Sequence, residues 1–152
     1  MTQNNLVAMV LLAGVGVLLI FVLGVRGGNS REDAVKAAID CMNSSQFKAF
    51  SDVDPARLNS CLTGEFLSKN KLAVAQLAAR GAHLTDHGIK EEYVSITFPT
   101  DTQAVVEAFE SELETIVDSR GTVISKTDHG PIRVRYYLVR LDGRWKVERG
   151  AH

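Results

Sequence analysis

The chain has 152 residues, with 17 basic and 18 acidic side chains and a formal net charge of -1, a length that fits one domain. Every Lys, Arg, Asp and Glu lies after Val25. A balanced charge excludes general nucleic-acid binding, which needs a basic face to displace counterions from phosphates.

Met1–Asn5 is a short uncharged tail, followed by Leu6–Val25 (LVAMVLLAGVGVLLIFVLGV), twenty residues without a charged or strongly polar side chain. At about 1.5 Å per residue this reaches about 30 Å, the hydrocarbon thickness of a bilayer. Only a helix satisfies its own backbone there, so Leu6–Val25 is expected to be a transmembrane helix. It does not read as a cleaved signal, because the tail lacks a basic region and no small-x-small site follows. Ala13, Gly14 and Gly16 offer a patch where a neighbouring helix can approach closely. Arg26, Arg31 and Lys36 flank the C-terminal end, which by the positive-inside rule favours the domain on the cytoplasmic or stromal side of a plasma or thylakoid membrane.

Arg26–Ser30 (RGGNS) is a linker to the domain, residues 31–150. Ser30 with Asp33 reads as a helix start. Val35, Ala38, Ile39 and Met42 then recur at helical spacing, predicting a helix over Arg31–Phe47. Asp54-Pro55 starts a second helix, with Leu58, Cys61 and Leu62 on one side until Thr63-Gly64 interrupts. A third is predicted over Glu65–Arg80, with Gly81 at its left-handed cap.

The period then changes. Tyr93, Ile96 and Phe98 mark a strand over Lys90–Phe98. Gln103–Asp118 fits a helix as well as a strand; β-branched residues at both ends and neighbouring strands favour a long strand. Gly121–Pro131 reads as a loop, Ile132–Leu141 (IRVRYYLVRL) as a strand, and Asp142-Gly143 as a hairpin turn into Arg144–Glu148. Helices followed by strands predict an α+β fold with helices packed on one face of a four-stranded antiparallel sheet, which the resemblance below implies is curved.

Three stretches carry a resemblance. LNSCLTGEFLSKNK (Leu58–Lys71), AVVEAFESELETIVD (Ala104–Asp118) and IRVRYYLVRLDGRWKVERG (Ile132–Gly150) are similar, in order, to the helix-break-helix, the long strand and the closing hairpin of the IMS domain of plastid and cyanobacterial division proteins. That domain has the nuclear-transport-factor-two-like cone fold. The resemblance implies a membrane-tethered, non-enzymatic interaction domain from a cyanobacterium, alga or plastid. It also implies a domain facing away from the cytoplasm, opposite to the charge argument. The division proteins' J-like region and helical repeats have no counterpart in this sequence, so the functions of those parts do not transfer.

Candidate chemistry is sparse. His83 and His87, with Asp86 between, read as loop histidines rather than a metal pair, since no third ligand is apparent. Cys41 and Cys61 are symmetric about Ser51, the midpoint of a hairpin between the first two helices. Antiparallel packing brings such positions within disulfide range, at about 5.5 Å between Cα atoms. A reducing compartment, as the charge rule implies, favours two buried free thiols instead. Glu107, Glu110, Glu112 and Glu114 make an acidic strand against Arg133, Arg135, Arg140 and Arg144; these read as cross-strand pairs on the outer face, with a charged docking surface as the sharper alternative. Tyr93, Tyr136, Tyr137 and Asp118 are candidates to line a cone cavity, where acid–base chemistry would sit.

There is no phosphate-binding glycine loop or nucleophile elbow, and no cofactor is expected. The reading is a single-span accessory or scaffold subunit whose partners are the lipid bilayer and other membrane-protein subunits, with no nucleic acid. The alternatives are an exported cone-fold subunit like that of a secretion system, and a small-molecule binder or enzyme using the cone cavity.

Overall fold

A computed structural model describes residues 30–151. Leu6–Val25 lies outside the described residues, and Ala13, Gly14 and Gly16 with it. Among the described residues no helix is long and apolar enough to cross a membrane.

Residues 30–52 are helical (α1). Ser30, read as the cap, is already inside the helix, and the helix continues past Phe47. Val35, Ile39, Met42 and Ala49 form its fully buried stripe at helical spacing. Val53 ends it in the left-handed region at φ 56°, and the amide of Asp54 donates to the Ala49 carbonyl at 2.9 Å. That geometry usually takes glycine, so a β-branched residue there is strained.

Asp54 then caps a short 3-10 helix, Pro55–Ser60, its side chain accepting from the Ala56 amide at 3.0 Å. A second long helix (α2) spans Gly64–Ala79. Gly81, at φ 61°, supplies the left-handed stop expected of it. Cys41 on α1 and Cys61 after the 3-10 helix are joined as a disulfide with Cα atoms 5.6 Å apart. The hairpin symmetry about Ser51 places them side by side, and the reading of free thiols is corrected.

Four strands follow: β1 (Ala82–Thr100), β2 (Gln103–Asp118), β3 (Val123–Leu141) and β4 (Arg144–Ala151). They pair in sequence order as an antiparallel meander. The ambiguous Gln103–Asp118 segment is a strand throughout. Two segments read as loops are strand instead: β1 begins directly after Gly81, and β3 begins at Val123. The β2–β3 reversal takes only a few residues, because the Asp118 carboxylate accepts from the amides of Arg120 and Thr122 at 2.8 and 2.9 Å. At the last turn Asp142 and Gly143 both have positive φ, 49° and 78°, the conformation that Asp-Gly hairpins take.

Val106, Val134, Leu138 and Val147 on the inner sheet face meet Ile39, Met42, Leu58, Leu62 and Val74 of the helical layer. Cys61 and Thr63 hydrogen-bond both sides of Val147, at 3.0 and 2.9 Å, tying β4 to the segment that carries the disulfide. The result is α+β, with helices against one face of the sheet.

Candidate functional site

Strand alternation decides which polar side chains enter the molecule. On β2, Ala104, Val106 and Ala108 face inward and are buried, and the same phase carries Glu110, Glu112 and Glu114 inward. These three carboxylates line a cavity of about 240 Å³ between the sheet and the helices. The reading of an acidic strand on the outer face therefore holds for Glu107 alone.

The cavity floor is a polar network. Glu110 is 5 % exposed and accepts a short hydrogen bond from the Tyr136 hydroxyl on β3. Burial, then the Glu110 charge, pushes the Tyr136 phenol well above its usual range, so it stays protonated. Glu112 accepts from His129 Nε2 at 3.0 Å and has His87 Nδ1 at 3.9 Å. Burial raises the Glu114 carboxyl above its ordinary value, the Glu112 charge adds to this, and His87 opposes it. Opposite Glu110 on β1, Glu91 accepts from the Asn43 amide and the Tyr93 hydroxyl, each at 2.8 Å. Burial and that bond hold the Tyr93 phenol protonated.

His83 and His87 do not act together. A bulge at Thr85 interrupts the β1–β2 register between Leu84 and Asp86. The extra residue reverses the face, so His83 lies opposite to the buried Leu84 while His87 enters the cavity. The His87 ring stacks on Phe47, with centroids 6.1 Å apart. Among the described residues no His, Cys, Asp and Glu cluster has the arrangement of a metal site.

Of the four residues suggested for the cavity, Tyr136 lines it, whereas Tyr93 is half-buried outside the lining and bonded to Glu91. Tyr137 is on the outer face under the Arg149 guanidinium, 3.8 Å from the ring centroid, and Asp118 is spent on its turn. His87, Glu112 and His129 were not foreseen as a group. The available signal was the continuation of the Ala104, Val106, Ala108 alternation through Glu110, Glu112 and Glu114.

The outer face is different. Glu107 pairs with Arg133 at 2.6 Å and with Arg135, its register partner. These guanidinium groups, Arg133 first, hold the Glu107 carboxyl below its usual range. Phe109, opposite Arg133, is 41 % exposed. Arg140 and Arg144 belong to the hairpin end, where Arg140 Nε donates to the Gly143 carbonyl at 3.4 Å. Arg140 is five residues along β3 from Arg135, and Arg144 lies level with Leu141, six along, on the order of 15–20 Å at about 3.3 Å per residue. The four arginines are thus two groups.

No curated protein matches the sequence significantly. Among solved structures, the chain resembles the intermembrane space region of the chloroplast protein ARC6, with a TM-score of 0.67 at 22 % identity over 77 % of this chain and 92 % of that one. It also resembles a protein described as a scytalone dehydratase from Novosphingobium aromaticivorans, with a TM-score of 0.50 at 15 % identity over 80 % and 85 %. A described dehydratase of the NTF2-like family from Streptomyces avermitilis matches with a TM-score of 0.50 at 13 % identity over 80 % and 94 %. These likenesses establish the NTF2-like cone fold. The family profile "ARC6-like, IMS domain" matches residues 48–148, two thirds of the sequence, and the chain belongs to that family.

Proposed function

We propose that this protein is a membrane-anchored, non-enzymatic accessory subunit, related to the division proteins of its family, that docks another membrane-protein subunit on the outer face of its sheet. The observation that carries the reading is the composition of that face. Phe109 and Tyr137 stand among Arg133, Arg135 and Arg149, with Glu107 as the local counter-charge. Aromatic side chains interleaved with arginine, here the exposed Phe109 and the half-buried Tyr137, are the residue types that dominate binding energy at interfaces. The surplus of guanidinium over carboxylate fits an acidic partner segment and fixes its orientation.

Two further features support the reading. The apolar Leu6–Val25 segment has the length to anchor the domain. The disulfide between Cys41 and Cys61 supports a domain in an oxidising compartment, away from the cytoplasm, as the family resemblance implies and against the flanking charges.

Purification from membranes in mild detergent tests the proposal. The protein is expected to elute with another membrane subunit, and Arg135→Glu to elute alone while remaining folded by circular dichroism, with a slightly lower melting temperature because it sets a carboxylate opposite Glu107. An isolated monomer for both would overturn it.

A further inference from the structure

The cone cavity is independent of the outer face and has its own chemistry. Its floor carries Glu110, Glu112 and Glu114, and no Lys or Arg is among its lining residues. Aromatic rings, Phe47 and Tyr136 among them, form part of its walls. Carboxylates and aromatic rings lining one cavity attract a cation through charge and through the ring quadrupole.

His87 shows what kind of cation. Its side chain is 10 % exposed, it lines the cavity, and neither ring nitrogen has a hydrogen-bond partner in the protein. The nearest carboxylate oxygen, on Glu112, is 3.9 Å from Nδ1, beyond hydrogen-bond range. A neutral imidazole offers one acceptor nitrogen and one donor. A group bearing N–H donors, placed between His87 and the glutamates, would donate to both.

A metal ion is the weaker candidate, because the described His, Cys, Asp and Glu side chains do not converge on a metal-binding arrangement. A quaternary ammonium has no N–H to give His87. The volume of about 240 Å³ corresponds to roughly eight waters at about 30 Å³ each, the size of a short diamine. We infer that the cavity binds a small organic cation carrying a primary ammonium or guanidinium group, held by Glu112 and Glu114 and donating to His87.

The experiment is calorimetric titration of the intact chain in detergent at fixed ionic strength. Putrescine and agmatine are the probes, with 1,4-butanediol and tetramethylammonium as controls. The cations with N–H donors are expected to bind at least tenfold more tightly than either control. The double variant Glu112→Gln, Glu114→Gln is expected to lose at least tenfold in affinity, and Glu65→Gln on the exposed side of α2 to lose nothing. Should the double variant fail to fold, the ring 15N resonances of His87 in the wild type decide: they shift on titration with agmatine and stay still with butanediol. Equal binding of agmatine and butanediol, an equal loss in Glu65→Gln, or heat release with unmoved His87 resonances would each overturn the inference.

Discussion

Tyr136 on β3 donates its hydroxyl to the carboxylate of Glu110 on β2, and the two side chains are 6 % and 5 % exposed. The pair closes the cavity floor against the apolar layer formed by Val106, Val134 and Leu138. Tyr136→Phe keeps the ring and removes the donor from a buried carboxylate. Urea unfolding is expected to show a loss of about 1.5–3 kcal/mol, the usual worth of a hydrogen bond to a charged group. An unchanged midpoint would mean that the hydroxyl contributes nothing there.

The Cys41–Cys61 disulfide closes a 20-residue separation. On the chain-entropy model such a loop stabilises by about 3 kcal/mol. Thermal unfolding with and without a reductant should show a lower melting temperature for the reduced protein, and Cys41→Ala with Cys61→Ala should match the reduced wild type and ignore the reductant. Mass analysis of unreduced protein from its native membrane should find the two residues linked.

Glu114 gives a pH dependence of defined sign. Its folded-state carboxyl is raised above the ordinary 4.5, so the fold prefers it protonated. The stability it contributes is complete below the unfolded value and is lost as pH rises through the folded value. Glu114→Gln, neutral at every pH, should therefore melt at a higher temperature than wild type at pH 7, and the difference should shrink toward pH 4. A gap that widens on acidification would contradict the assignment. The measurement belongs in buffer free of amines, which would neutralise the site.

Legibility followed exposure. The stripe of Val35, Ile39 and Met42, the Gly81 stop, the Asp142-Gly143 turn and the long β2 strand were readable because a buried face writes its period into the sequence. Residues 123–130 of β3 were not, since nearly all are exposed and have no apolar alternation to show. His83 and His87 were separated by a bulge at Thr85, which no periodicity announces. The outer arginines were visible as a group, but the twofold alternation and the hairpin place Arg133 and Arg135 apart from Arg140 and Arg144. The charged cavity went unread because glutamates on a strand ordinarily signal solvent.

The docking face is tested most directly by photo-crosslinking in intact membranes, with a crosslinking residue in place of Phe109 on the outer face or of Leu72, 60 % exposed on α2. Position 109 is expected to capture one membrane-protein partner, and the capture is expected to disappear with Arg135→Glu, while position 72 captures none. Equal capture from both positions, or capture at 109 that survives Arg135→Glu, would contradict docking through the outer face of the sheet.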